Sequence, residues 1–145
     1  MIPIFDSQGN LLPGIHIATW DELAERFGAS PHRKLLLTGL PAMLTSLKDA
    51  GCRRVYIDGS LVTAKEHPAD FDGCWGVDGV DADKLDPVLL QFANRRAAQK
   101  AKYHGELFVA NAAADPAGIR FIDFFQRDHD GQPKGIIALD LKDLP

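Results

Sequence analysis

Arg54-Val55-Tyr56-Ile57-Asp58-Gly59-Ser60, followed after a short loop by Pro68-Ala69-Asp70-Phe71-Asp72, is the stretch on which the reading of this chain turns. The first run predicts a β-strand ended by a Gly-Ser turn. The second predicts a strand from about Asp70 to Val77. Residues two apart on a strand share a face, so Asp70 and Asp72 point the same way and Phe71 the other. Two carboxylates side by side repel, and a hard, oxygen-seeking cation such as Mg2+ relieves that repulsion. Gly59 permits close backbone approach, and the Ser60 N–H and hydroxyl can hold a phosphate oxygen. Lys65, in the loop, is either a partner for phosphate charge or a solvated lysine.

Working outward, the loop from Ser60 to Asp70 is short enough for the two strands to pair antiparallel, which sets Gly59-Ser60 beside Asp70 and Asp72. Asp83 to Tyr103 carries an apolar helical stripe of Leu85, Leu89, Leu90, Phe92, Ala93 and Ala97. Such a crossover returns the chain to a third strand, Glu106–Ala110, parallel to the second. Glu106 then lies level with Asp70 and Asp72, and three carboxylates converge beside a phosphate-holding turn. That is the arrangement of a metal-assisted phosphoryl-transfer site. Asp123 competes with Glu106 for the third position.

With these residues in view, the sequence resembles the nucleotidyltransferase fold, the DNA polymerase β-like superfamily. The match lies in Asp58-Gly59-Ser60-Leu61-Val62-Thr63-Ala64-Lys65 and Pro68-Ala69-Asp70-Phe71-Asp72. It is closest to minimal bacterial members, among them antitoxins of toxin–antitoxin pairs and uncharacterised small proteins. The resemblance covers about Arg54 to Ala110, under half of the chain. It implies that Gly59 and Ser60 contact the phosphates of a nucleoside triphosphate and that Asp70 and Asp72 bind Mg2+. It implies that a later carboxylate, Glu106 here where Asp is usual, completes the catalytic set. The partners implied are the nucleotide and a protein such as a cognate toxin; RNA is an open alternative that the motif itself does not support. The extra helical domain of larger members is not expected within these 145 residues.

The rest of the chain is read as one domain of α/β (α+β) class, a mixed sheet flanked by helices. Residues 1–18 are expected to form an extended arm, the core to span about 30–110, and 111–145 to be a C-terminal extension. Thr19-Trp20-Asp21-Glu22 matches a capping box, opening a helix through Leu23 and Phe27 that stops at Gly28. Ser30-Pro31 opens a second helix running to Gly51, with Pro41 as a kink. Gly135–Leu141 reads as a last strand. Phe121, Phe124 and Phe125 are core, or else a surface for a partner. Arg95, Arg96, Lys100 and Lys102 form the wet face of the crossover helix, or else a patch for nucleotide, RNA or an acidic partner.

At 145 residues, 46% hydrophobic and 25% charged, the chain has the composition of a globular protein rather than a disordered one. The formal charge of −4 lacks the overall footprint of a nucleic-acid binder. No run approaches the roughly 18 apolar residues of a membrane span, and the start does not read as a signal peptide. Cys52 and Cys74 form no C-x-x-C pair and are expected to be reduced, buried and cytoplasmic. The five histidines show no zinc-ligand spacing; His67 lies in the loop beside the candidate site. Neither a Walker loop nor a G-x-G-x-x-G turn is present.

Overall fold

Five strands form one mixed sheet in the computed structural model, which describes residues 2–145. They are β1 (Gly14–Ala18), β2 (Arg54–Asp58), β3 (Phe71–Trp75), β4 (Gly105–Val109) and β5 (Gly135–Asp140), in spatial order β1-β5-β2-β3-β4. The pairings of β2, β3 and β4 are as expected: β2 runs antiparallel to β3, and β4 parallel to β3. The class is therefore the mixed α/β arrangement read from the sequence.

Helices α1 (Trp20–Phe27), α2 (Pro31–Leu37) and α3 (Leu40–Asp49) follow β1. The Thr19 capping box forms, with Glu22 N donating to Thr19 Oγ1 at 3.2 Å and Thr19 N to Glu22 Oε1 at 3.3 Å. The single helix expected from Ser30 to Gly51 is instead two, broken at Thr38-Gly39. A Cβ on Gly39 would lie 1.8 Å from the carbonyl oxygen of Tyr103, so glycine is required where the chains meet, and Pro41 falls in the first turn of α3, where its missing N–H costs nothing.

The crossover also differs from expectation. Between β3 and β4 the chain makes two 3-10 turns, Ala82–Lys84 and Pro87–Leu90, before α4 (Ala93–Tyr103). The Asp81 and Asp86 carboxylates accept from the backbone N–H groups of Asp83 and Val88, both at 3.0 Å, and so cap separate turns. Pro87 cannot continue an upstream helix. Leu85 and Leu89 are buried as the stripe required, but Leu90, Phe92, Ala93 and Ala97 are exposed. Inside α4, Asn94, Arg95 and Arg96 are left-handed, with φ of 53°, 56° and 59°. Three consecutive non-glycine residues in this region cost roughly 1–2 kcal/mol each.

Both ends of the chain were expected to lie outside the core, and both belong to it. Gly14–Ala18 is an edge strand paired parallel to β5, and Leu11 just before it is buried. β5 is no extension: it is an interior strand of the sheet, between β1 and β2. Its near-continuous apolar run, Gly-Ile-Ile-Ala-Leu, is buried on both faces, as a central strand demands. After β4 comes the short α5 (Phe121–Phe124) and a turn in which Asp128 Oδ1 accepts from the N–H groups of Asp130 and Gln132. Both cysteines are free and buried, and burial pushes their thiols up to about 11 for Cys52 and about 12 for Cys74. Among the described residues, no helix is long and apolar enough to cross a membrane.

Candidate functional site

Strand alternation divides the sheet into two chemically distinct faces. Val55, Ile57, Phe71, Trp75, Leu107, Ile137 and Leu139 point to the helices and join the main core with Leu23, Phe27, Met43 and Leu47. The side chains between them point the other way. On that second face Asp58, Asp72 and Glu106 are register partners across β2, β3 and β4. Register partners share a face and stand within side-chain reach of one another. Asp70, two residues before Asp72, extends the row. The next row along the strands is Tyr56, Cys74 and Phe108, part of a smaller apolar cluster with Ile136, Phe121 and Phe125. Phe121 stacks on Phe108 at 4.2 Å between ring centroids, while Phe124 is exposed.

The Gly-Ser turn packs on this row. Gly59 has φ 85°, and a Cβ there would lie 2.8 Å from Asp72 N and 3.1 Å from Asp72 Oδ2. Conformation and space both call for glycine. Ser60 begins a 3-10 turn and donates its hydroxyl to the Asp70 carbonyl at 3.4 Å. Thus Gly59, Ser60, Asp70, Asp72 and Glu106, expected to converge, do so. Lys65 is exposed on the following loop, where its charge opposes the rise in the Asp70 pKa.

That loop is held by a residue the sequence reading passed over. Arg33 of α2 is buried and donates to the carbonyls of Leu61 (2.5 Å), Thr63 (2.7 Å) and Lys65 (2.5 Å), as well as Phe27 (3.3 Å). His32 bonds the Pro68 carbonyl, and His67 meets the His32 ring edge-on at 5.8 Å. His67 is therefore seated against α2. Asp123, the rival for the third carboxylate, lies on α5 paired with Arg120 at 3.0 Å; the register position opposite Asp72 is Glu106's.

The charges on the row are unevenly compensated. Asp58, given no role by the sequence reading, forms an ion pair with Lys134 that is almost closed to solvent. Burial pushes its carboxyl up while Lys134 pulls against that. Glu106 is buried and bound at both oxygens by Arg96, Nε to Oε2 at 2.7 Å and Nη2 to Oε1 at 3.4 Å, with Lys100 at 3.6 Å. That bond raises the Arg96 pKa. Between these pairs, and among the described residues, neither Asp70 nor Asp72 has an ion-pair partner. Burial, then the Asp70, Glu106 and Asp58 charges, push Asp72 up to about 7. Asp70 is raised by burial and by Glu106.

Two carboxylates without ion-pair partners beside a close-approaching turn offer oxygen donors of the kind that suits a hard dication. Asp70 and Asp72 are the residues that could hold one. Among the described residues no group of three or more His, Cys, Asp or Glu side chains stands ready to do so; the third carboxylate of the row is engaged by Arg96. Asp58 could have been placed on the row from the hairpin alone. Lys134 and Arg33 left no local signal, because each reaches its place through long-range packing.

A sequence model of a family of unknown function (DUF6932) matches residues 3–140, nearly the whole chain, and the protein belongs to that family. No curated protein and no solved structure matches the chain.

Proposed function

We propose that this family member is a nucleotidyltransferase-like protein that binds a Mg2+–nucleoside triphosphate on the acidic face of its sheet. It transfers a nucleotidyl group to a hydroxyl of a protein or RNA. The observation that carries the reading is the alignment of Asp58, Asp72 and Glu106 across three strands, with the Gly59 turn packed on Asp72. The Gly-Ser and Asp-x-Asp resemblance supports the same reading. Two free, buried cysteines support a reducing compartment, the cytoplasm.

In this reading the chain's own groups divide the work. Asp70 and Asp72 supply carboxylate oxygens to the cation, and the bound cation supplies charge neutralisation for the phosphates. The Ser60 N–H and hydroxyl, at the head of a turn fixed from below by Arg33, hold a phosphate oxygen. Lys134 keeps Asp58 neutralised, so the cation's ligands are the other pair. The acceptor oxygen forms a bond to the α-phosphorus as the bond from that phosphorus to its bridging oxygen breaks. Pyrophosphate leaves, and Glu106 receives the acceptor proton.

Calorimetric titration with ATP, GTP, CTP and UTP, with and without Mg2+, tests the reading. The parent is expected to bind at least one nucleotide in a Mg2+-dependent manner. Asp70→Asn with Asp72→Asn is expected to abolish that binding with an unchanged circular dichroism spectrum. Binding of none of the four nucleotides by the parent would sink it.

One observation favours a second reading. Arg96 and Lys100 already satisfy Glu106, which suits a non-catalytic, antitoxin-like module that retains the fold and binds a partner protein such as a cognate toxin. A partner bound equally by the parent and the doubly substituted protein, without nucleotide binding by either, would establish that alternative.

A further inference from the structure

Arg96 meets the acidic row at Glu106, and its bond there is lopsided. Glu106 is fixed on a strand, with its side chain 10% exposed. Arg96 is 28% exposed and comes from the left-handed run Asn94–Arg96. The carboxylate is the anchored partner and the guanidinium the movable one. A residue held in a sparsely populated backbone region stays there only while its surroundings insist, and here the visible restraint is the two-toothed bond to Glu106. The guanidinium also lies 5.2 Å from the centre of the Phe108 ring, a second seat on the same face. Lys100, four residues on along α4, approaches the same Glu106 oxygen. The planar fork of arginine fits carboxylate and phosphate alike.

Resting on the functional reading above, we propose that Arg96 exchanges partners at this site: it leaves Glu106 for the phosphate oxygens of a bound Mg2+–nucleoside triphosphate, and Lys100 follows. The exchange frees Glu106, which already stands beside Asp72, from its cationic partners. It also follows that Arg96 and a divalent cation compete for Glu106, whereas Arg96 and the triphosphate cooperate. A single residue thus acts with opposite sign on metal and on nucleotide.

The opposite signs make the test. Mn2+ binding, read by paramagnetic resonance without nucleotide, is expected to be about 3- to 10-fold tighter in Arg96→Gln than in the parent, because the competitor is gone. Mg2+–ATP binding, read by calorimetry, is expected to be about 10- to 100-fold weaker, the loss typical of a hydrogen bond to a charged group. Arg96→Lys should recover part of the ATP affinity. A residue that merely braces the fold would move both affinities in one direction, and that result overturns the proposal. Should Arg96→Gln fail to fold, Glu106→Gln reads the same exchange from the other side. Inorganic tripolyphosphate without metal is expected to bind it more tightly than the parent; unchanged tripolyphosphate affinity overturns the proposal as well. If the parent binds no nucleotide with Mg2+, the functional reading fails and takes the exchange with it. If the parent binds Mg2+–ATP and Arg96→Gln binds it equally well, the exchange alone fails.

Discussion

The two faces of the sheet share one backbone and have opposite chemistry. On β4, Leu107 is fully buried against the helices while its neighbour Glu106 lies among charges. On β3, Phe71 is sealed in the core and Asp72 is left without a counter-ion. The helix-covered face is built almost wholly from leucine, isoleucine, valine and aromatics. The other face carries four carboxylates at one end and phenylalanines at the other. Stability is concentrated on one side, and electrostatic strain is gathered on the other. Charge repulsion of this kind lowers stability, and it is tolerated where a bound cation can relieve it.

The largest effect that tests this contrast should come from the apolar side. Leu107→Ala is expected to cost about 2–5 kcal/mol through lost burial and the cavity left behind, measured by urea unfolding. A cost below about 1 kcal/mol would mean that the helix face is not the stabilising one.

On the acidic side the sign reverses. A carboxyl raised from near 4 to about 7 is disfavoured as an ion in the fold. Its penalty is absent below about pH 4, grows between pH 4 and 7, and is complete above. Asp72→Asn should therefore stabilise the metal-free protein at pH 8 by about 1–3 kcal/mol and have little effect near pH 4. Melting temperatures of both proteins across that range check this; a constant difference would show that Asp72 is no more strained than a surface carboxylate.

Gly59 joins the turn to the acidic row. Gly59→Ala places a methyl against Asp72 N in a left-handed conformation, and should cost about 1–3 kcal/mol. Unchanged stability would show that the turn and the row are independent. The smallest effect is expected at Arg95, exposed and left-handed at φ 56°. Arg95→Gly should raise stability by up to about 1 kcal/mol, because glycine adopts that conformation without the Cβ penalty. Destabilisation by chemical denaturation would show that the left-handed run inside α4 is not strained.

The acidic half of this contrast was largely legible in the sequence. Alternation along Asp70-Phe71-Asp72, a short loop and a crossover suffice to bring Asp70, Asp72 and Glu106 together, since strand period and connection length are local properties. The compensation of those charges was not legible. Lys134 reaches Asp58 only because β5 lies beside β2, and nothing local in Gly135–Asp140 says which strands it will separate. Arg96 could be seen as one of a basic cluster, but its turn toward Glu106 depends on a left-handed run that helical periodicity does not foresee. The same limit explains the reading of residues 14–18 and 135–140 as peripheral: sequence position suggested the margins, and pairing placed one at an edge and the other inside the sheet.

The interior place of β5 has a consequence for how the molecule is made. β2 must wait for a strand roughly 80 residues further along the chain before its second edge is covered, and β1 must wait longer for the strand it pairs with. At a synthesis rate of about 5–20 residues per second, that delay is on the order of 4–15 s. During it the β2–β3–β4 unit presents an open apolar edge, the kind of edge that pairs with the wrong chain. A nascent chain halted before Gly135 should therefore be the form most prone to aggregate and most in need of a chaperone, and completion of the last strand should be the step that renders the protein safe from its neighbours.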